Sequence, residues 1–542
     1  MGAFFFGIMP AMLAWIRTKL GAAVRGHARL LSRAEAAYAA GSPEQARRLS
    51  LRLLRRSPHD GRALALLAAV AADAGQIEEG LQWARRAQAA DAGAASPHYL
   101  MGRLWQEAGR LAQAEASYRS AIGLQPGHAR AHNNLGCVLH MQGRLQDALL
   151  AYRRALDLDP GLPQANQNYA SLVRDAGALE HAAAAYLRHT AAHPDDALAF
   201  NDLGNAYREL GRHQDALAAY ERALALAPGL AQAHFSRAFV LLLLGDYGAG
   251  WRDYEWRWRI NAFNGPARRF SQPMWDGRRI ERGALLLHAE QGLGDTLQFA
   301  RYASRAAERC DSVILECQPE LAELLRGTAG ARRVLAKGET LPPFVAHAPL
   351  MSLPALFGTT LEDIPWSGPY VYADPQRIAA WRGAVAEPGL RVGLVWAGRP
   401  QQWDDRKRSI ALDLLAPLAR VPRVVFYSLQ VGEAAAQAAR PPESMRLVDV
   451  ASRIRDFSDT AAIVAGLDLV IAIDTSVAHL AGAMGVPVWV LVAHAPDWRY
   501  HLERSDNPWY PTMRLFRQER DGDWRGAIER AAEALEQRAA LS

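Results

Sequence analysis

Shifted against itself by 34 residues, the first half of the chain brings its small, aromatic and breaker positions into register. Residues 95–128, 129–162, 163–196 and 197–230 place Gly102, Gly136, Ala170 and Gly204 at one position. The same shift superposes Ala114, Ala148, Ala182 and Ala216, and then Tyr118, Tyr152, Tyr186 and Tyr220. Pro126, Pro160, Pro194 and Pro228 close the units. The pattern predicts a pair of helices per unit: small residues let the helices approach, and tyrosine with the aliphatics fills the space around the crossing. Gly109, Gly143, Gly177 and Gly211 are expected to separate the first helix from the second. The closing proline stops the second helix. Residues 27–60 and 61–94 fit more loosely, through Ala34, Ala46 and Pro58, then Ala68 and Ala87. Residues 231–259 begin a further unit but end in GWRDYEWRWR, which departs from the pattern.

Repeat length and small/aromatic spacing resemble the tetratricopeptide family. Such arrays form a solenoid with an extended concave surface. Asn133, Asn134, Asn166, Asn168, Asn201 and Asn205 recur on first helices, and their amides are expected to line that surface and hold a peptide backbone. The competing reading gives them local hydrogen bonds within the array. The tyrosines, at helical spacing, read as core.

Beyond the tryptophan-rich stretch the period disappears. Short aliphatic runs at 284–290, 312–317, 391–398, 424–430, 468–474 and 487–493 read as buried strands. Helical segments at 299–309, 410–420, 459–466 and 476–484 lie between them, which predicts α/β architecture with parallel sheets. Two sheets are expected, over about 280–375 and 388–520, with late strands or connections in PPFVAH and WSGPYVYADP. The final helix is expected over about 523–540.

Composition narrows this picture only modestly. Among 542 residues, half are hydrophobic, which supports several folded cores. The formal net charge is +6, but the signs are well mixed and lysine occurs only at Lys19, Lys337 and Lys407. That balance does not require a nucleic acid, and none is expected as a partner. Cys137, Cys310 and Cys317 are too far apart for a paired metal motif and read as reduced thiols in a cytoplasmic protein. The apolar stretch 4–16 is too short to span a bilayer and its basic residues follow it, so it suggests at most a weak, peripheral inner-membrane contact or a start extension.

Three strand-end loops carry the candidate chemistry. In EQGLGD, Gly292 and Gly294 allow backbone N–H groups to approach a ligand, and Asp295 either caps the next helix or faces a cleft. In GRPQQWDDRKRSI, Arg406, Lys407 and Arg408 can neutralise a diphosphate, while Ser409 can cap a helix or bind phosphate. In IDTSVAH, Asp474 ends a strand, Thr475 and Ser476 open a helix, and His479 lies in its first turn. That helix N-terminus suits a diphosphate equally as well as it suits an ordinary cap. Trp251, Tyr254, Trp256 and Trp258 are expected to seal the last repeat against the following half. Trp498, Trp509 and Tyr510 either contact a ligand or cover the edge of the cleft.

Together HAEQGLGDTLQFARY, DDRKRSI, FSDTAAIVAGLDLVIAIDTSVAHLAGAMGVPVWVL and DNPWYPTMRLFRQ resemble bacterial repeat-containing glycosyltransferases with a heptosyltransferase-like catalytic half. The resemblance implies a tetratricopeptide solenoid followed by the GT-B fold, two Rossmann-like domains. It divides the chain into an extension at 1–26, repeats at 27–260, an acceptor-side domain at 261–380 and a donor-side domain at 388–542. It implies inverting, metal-independent transfer of a sugar from a nucleotide donor, with no separate cofactor, to protein Ser or Thr, flagellin being the leading acceptor. Asp295 would be the general base. Gly292, Gly294, Arg406, Lys407, Ser409, Asp474, Thr475, Ser476 and His479 would serve the nucleotide sugar. The family's glycine-rich spacing is replaced here by Ser476-Val477-Ala478. A heptosyltransferase-like enzyme with a glycan or lipid-linked acceptor, and a non-catalytic repeat scaffold retaining the shell, are the alternatives.

Overall fold

Why the repeat positions must be small becomes visible in the computed structural model, which describes residues 26–159, 162–173, 176–260, 270–399 and 405–541. The side chains of Arg406 and of several residues between 166 and 189 lie outside that described set. A Cβ on Gly102, Gly136 or Gly204 would sit 2.6 Å from the ring of Tyr118, Tyr152 or Tyr220 respectively. Those tyrosines are buried, so ring and bare backbone together set the helix–helix distance. Gly109, Gly143 and Gly211 have φ of +70°, +75° and +73°, the left-handed turn between paired helices. Gly177 departs from the expectation, because it lies inside the helix Ala176–Ala192.

The described residues up to 185 and those from 186 onward form separate compact units. The first contains helices at 26–39, Pro43–Leu54, Gly61–Asp73, Ile77–Ala90, Ala95–Glu107, Leu111–Leu124, Ala129–Met141, Leu145–Leu158 and Pro163–Val173. The loosely fitting front repeats are therefore helix pairs too. Their small residues, Ala34, Ala46, Ala68 and Ala87, are buried at the crossings. The asparagines behave more locally than expected. Asn168 donates to Asn133 Oδ1 at 3.0 Å, Asn133 donates to Asn134 Oδ1 at 3.0 Å, and Asn134 reaches the hydroxyls of Tyr99 and Tyr118 at 3.3 Å. Asn133, Asn201 and Asn205 are buried, and Asn205 accepts from the Tyr220 hydroxyl at 2.9 Å. These bonds tie the amides into the array, while Asn201 Oδ1 is buried with no partner among the described residues; the Asn166 side chain lies outside the described set.

The second unit opens with the helices Ala197–Glu209, His213–Leu226, Ala231–Leu244 and Tyr247–Tyr254 and a 3-10 turn, Glu255–Arg259. A four-stranded sheet follows: β1 Ile280–His288, β2 Cys310–Cys317, β3 Arg333–Ala336 and β4 Ala346–Pro349, in the order β3-β2-β1-β4. The next sheet holds β5 Leu390–Val395, β6 Val424–Ser428, β7 Leu447–Asp449, β8 Leu469–Ile473, β9 Val488–Val492 and β10 Met513–Arg517, in the order β10-β9-β8-β5-β6-β7. Every named pairing is parallel. The central strands are apolar runs because parallel strands are covered on both faces. This is Rossmann-like α/β architecture.

Three strands are not announced by the sequence: β3 and β7 are very short, and β10 interleaves Arg514 and Arg517 with its apolar positions. The segment Leu412–Arg420 is a 3-10 helix rather than an α-helix, since Pro417 inside it removes an N–H donor. WSGPYVYADP forms no strand; Tyr370 and Val371 instead donate their amides to Ala483 O. The last helix is Arg525–Leu541.

Candidate functional site

Strand order decides where a ligand crevice can form. In each sheet the connections reverse direction at one place, between β1 and β4 and between β5 and β8. The loops leaving β1, β5 and β8 are the three that carry the sequence candidates. Crevices at such switch points lie beyond the carboxyl ends of the strands.

The β1 loop leads through Gly292 into the helix Leu293–Phe299. Gly292 has an ordinary extended backbone with φ −67° and ψ 170°, and Gly294 is absent from the left-handed glycines, so neither provides the unusual backbone expected of it. Gly294 is needed for another reason: a Cβ there would lie 2.8 Å from His479 Cδ2. The helix therefore meets Ser476–Ala483 at bare backbone. Asp295 does cap its helix, and its second oxygen reaches further. Oδ2 accepts from the Gly292 amide at 2.9 Å, while Oδ1 accepts a short charge-assisted bond from Arg499 Nη2. Burial raises the Asp295 carboxyl above its ordinary value, and the Arg499 charge opposes that shift.

The β8 loop brings Asp474 to the same place. Asp474 accepts from Tyr500 Oη at 2.6 Å, and its carboxylate lies 3.8 Å from Arg408 Nη1 and from His479 Nε2. Thr475 is the N-cap of Ser476–Ala483 but its side chain makes no cap bond; its buried Oγ1 has no partner among the described residues. Ser476 opens the helix with its first amide. His479 is buried, its Nδ1 lies 3.1 Å from Tyr510 Oη, and burial together with the Arg499 charge pulls it down to about 3. The imidazole is therefore neutral across the physiological range.

The β5 loop reaches this cluster through Arg408, and Lys407 is half-buried beside it in Asp405–Arg408. The Arg406 side chain lies outside the described residues. Ser409 does not cap a helix. Its hydroxyl donates to Asp405 Oδ2 at 2.8 Å and accepts from the Gly398 amide at 2.8 Å, closing the loop on itself. The helical segment that follows begins only at Leu412, with Ala411 as its cap residue.

Sequence reasoning missed the residue at the centre. Arg499 follows β9 in DWRY, donating from Nε to Gln298 Oε1 at 2.7 Å and from Nη1 to Asp497 Oδ1 at 2.8 Å, as well as to Asp295. A strand-end arginine between an aspartate and a tyrosine was the available signal, hidden behind the more conspicuous tryptophans. Those aromatics are structural: Trp498, Trp509 and Tyr510 are buried, and the indole of Trp498 packs edge-on to Trp251 with centroids 5.2 Å apart. Trp251 and Tyr254 seal the last repeat as expected. Trp256 instead stacks on His234 within its own repeat, with centroids 3.9 Å apart.

Comparison with known proteins bears on the repeats. A tetratricopeptide repeat family model matches residues 31–95 and 99–163, and a TPR repeat model matches 204–245. Residues 31–95, 99–163 and 204–245 are therefore tetratricopeptide repeats. The chain is also similar to Protein FlbA of Caulobacter vibrioides, 29% identical over 333 residues. That match covers 56% of this chain and 55% of FlbA, so the chain spans about half the length of this relative. Among solved structures, Pseudomonas aeruginosa PilF is similar at 19% identity and a TM-score of 0.27, over 40% of this chain and 97% of that one. The thermophilic TPR protein TTC0263 of Thermus thermophilus is similar at 21% identity and a TM-score of 0.23, over 40% and 99%. Among the described residues, no group of three or more His, Cys, Asp or Glu is arranged to hold a metal ion, and no helix is long and apolar enough to cross a membrane. The apolar stretch 4–16 lies outside the described residues.

Proposed function

We propose that the repeats recruit a protein and that the α/β half, a GT-B pair of domains at 261–380 and 388–542, transfers a sugar to it from a nucleotide-activated donor. The observation that carries this reading is the convergence of the β1, β5 and β8 loops at the switch points, with Asp295, Arg408, Arg499, Asp474 and the Ser476 helix N-terminus in one cluster. Tetratricopeptide arrays commonly provide protein-binding surfaces, which favours a Ser or Thr hydroxyl on a protein as acceptor. Flagellin is the acceptor suggested by the family resemblance.

In this reading Asp295 takes the proton of the incoming hydroxyl as its oxygen bonds the anomeric carbon. The bond from that carbon to the donor phosphate breaks, and the electron pair leaves with the nucleoside diphosphate. Arg408 and the Ser476 helix N-terminus offset the charge that develops there. Lys407 and Arg406 supply further positive charge from the same loop, Ser409 shapes that loop, and Thr475 Oγ1 offers a hydrogen bond to phosphate. Positive side chains in these places make a metal ion unnecessary for the phosphate role.

The test is incubation of purified full-length protein with a panel of nucleotide sugars and cell extract, with intact mass spectrometry of the products. Transfer that survives a chelator and is lost in Asp295→Asn is expected. A chelator block reversed by a divalent ion would reject metal independence, and a folded Asp295→Asn protein with full turnover would remove Asp295 as base. A second reading, a scaffold that retains the shell without catalysis, is favoured by one observation: both Asp295 oxygens are already engaged, by Gly292 and Arg499. Tight partner binding with no nucleotide-sugar binding would select it.

A further inference from the structure

GWRDYEWRWR, the segment that breaks the repeat pattern, contains a fully buried cation. Arg257 is fully buried, with its guanidinium 4.7 Å from the Tyr254 ring centroid and 4.5 Å from that of Trp258. Its Nη1 donates to Glu255 Oε1 at 2.5 Å and to Tyr254 O at 3.2 Å. Its Nη2 donates to Ser352 Oγ at 2.7 Å and to Glu290 Oε1 at 2.9 Å. Ser352 in turn donates to Glu255 Oε2 at 2.9 Å, so the network closes on itself.

Stability alone is a poor reason for this arrangement. Removing a guanidinium and a carboxylate from water costs several kcal/mol per ion, and well-packed apolar residues often serve as well. What the ion pair supplies is geometry, because a planar fork fixes its acceptors in direction as well as distance. Glu290 is the first residue of EQGLGD. Its neighbour Gln291 donates to Tyr254 Oη at 2.8 Å. Two consecutive residues of the β1 loop are thus held by the 3-10 turn and the helix before it.

The same segment also touches the loop that carries Arg499. Trp509 Nε1 donates to Tyr247 Oη at 3.0 Å, Tyr247 Oη lies 3.3 Å from His501 Nε2, and Trp251 meets the indole of Trp498. Residues 247–259 therefore contact both loops whose side chains meet in the Asp295–Arg499 pair.

We propose that residues 247–259 brace the candidate site and that Arg257 is its positioning residue, holding Glu290 so that Asp295 keeps its place beside Arg499. The final repeat is then part of the catalytic architecture as well as the end of the recruitment array. The catalytic consequence rests on the glycosyl-transfer reading; the bracing itself does not.

Full-length Arg257→Met, Arg257→Lys and Glu290→Gln proteins separate the two. Amide hydrogen exchange across 290–296, followed at a temperature where all variants are folded, is expected to speed up at least tenfold in Arg257→Met and Glu290→Gln, with partial recovery in Arg257→Lys. Steady-state transfer, using whichever nucleotide sugar the wild type turns over, is expected to lose about ten- to a hundredfold in kcat with little change in donor KM, the signature of a displaced reacting group. Unchanged exchange across 290–296 overturns the brace. Faster exchange with unchanged kcat overturns its catalytic consequence. No transfer by the wild type from any donor overturns the glycosyl-transfer reading, while the exchange result still decides the brace.

Discussion

At Gly294 the missing side chain is the requirement, since a methyl group would enter the His479 ring, itself fixed on the Tyr510 hydroxyl. Gly294→Ala is expected to destabilise the second unit by about 1–3 kcal/mol, the usual cost of overpacking, read as a lower urea midpoint at unchanged slope. Glu290 makes a different prediction. Burial outweighs Arg257 and pushes its carboxyl up to about 7 from the ordinary 4.5. The folded chain therefore binds that proton more tightly than the unfolded chain. The resulting stabilisation is fully present below pH 4.5 and is lost as pH rises through about 7. Wild-type stability relative to Glu290→Gln should fall by on the order of 3 kcal/mol across that window, measured by urea unfolding at fixed ionic strength. A flat difference would show that Glu290 titrates normally. Asp295 was legible in the sequence because glycines and an aspartate after an apolar run mark a strand-end loop. Its partner Arg499 was not, because the two are 204 residues apart and only the meeting of two sheets joins them.

Among elements, the helix pairs were the most legible, because the same tyrosine must meet the same small residue in unit after unit. Gly136→Ala and Gly204→Ala each drive a methyl into a buried tyrosine ring, Tyr152 or Tyr220, and each should cost about 1–3 kcal/mol. Because repeats contact mainly their neighbours, the Gly136 variant should raise hydrogen exchange in Ala129–Met141, Leu145–Leu158 and adjoining helices while leaving β1 and β5 protected. The central strands were equally plain, as uninterrupted apolar runs. The 3-10 segment Leu412–Arg420 was less so, since its strongly one-sided apolar pattern suits an α-helix until Pro417 is counted. The asparagines recur for a related reason: they share amide-to-amide and amide-to-hydroxyl bonding within the array.

At the scale of the second unit, one aromatic cluster joins helices to sheets. Trp251, Trp498, Trp509 and Phe299 are buried against one another, with Trp251 ring centroids 5.2 Å from Trp498 and 6.2 Å from Phe299. Trp251→Ala is expected to cost about 3–5 kcal/mol, and near-ultraviolet circular dichroism should lose the cluster's signal at a lower temperature than in the wild type. The cluster also constrains how such a chain can be rearranged. Removal of the helices upstream of residue 231 is expected to leave it covered, because its rings come from residue 247 onward. A crossover placed after residue 260 would instead strip a wall of indole and phenyl rings from the α/β half and leave it prone to clump. A chain divided ahead of its last repeat is therefore expected to keep these rings covered.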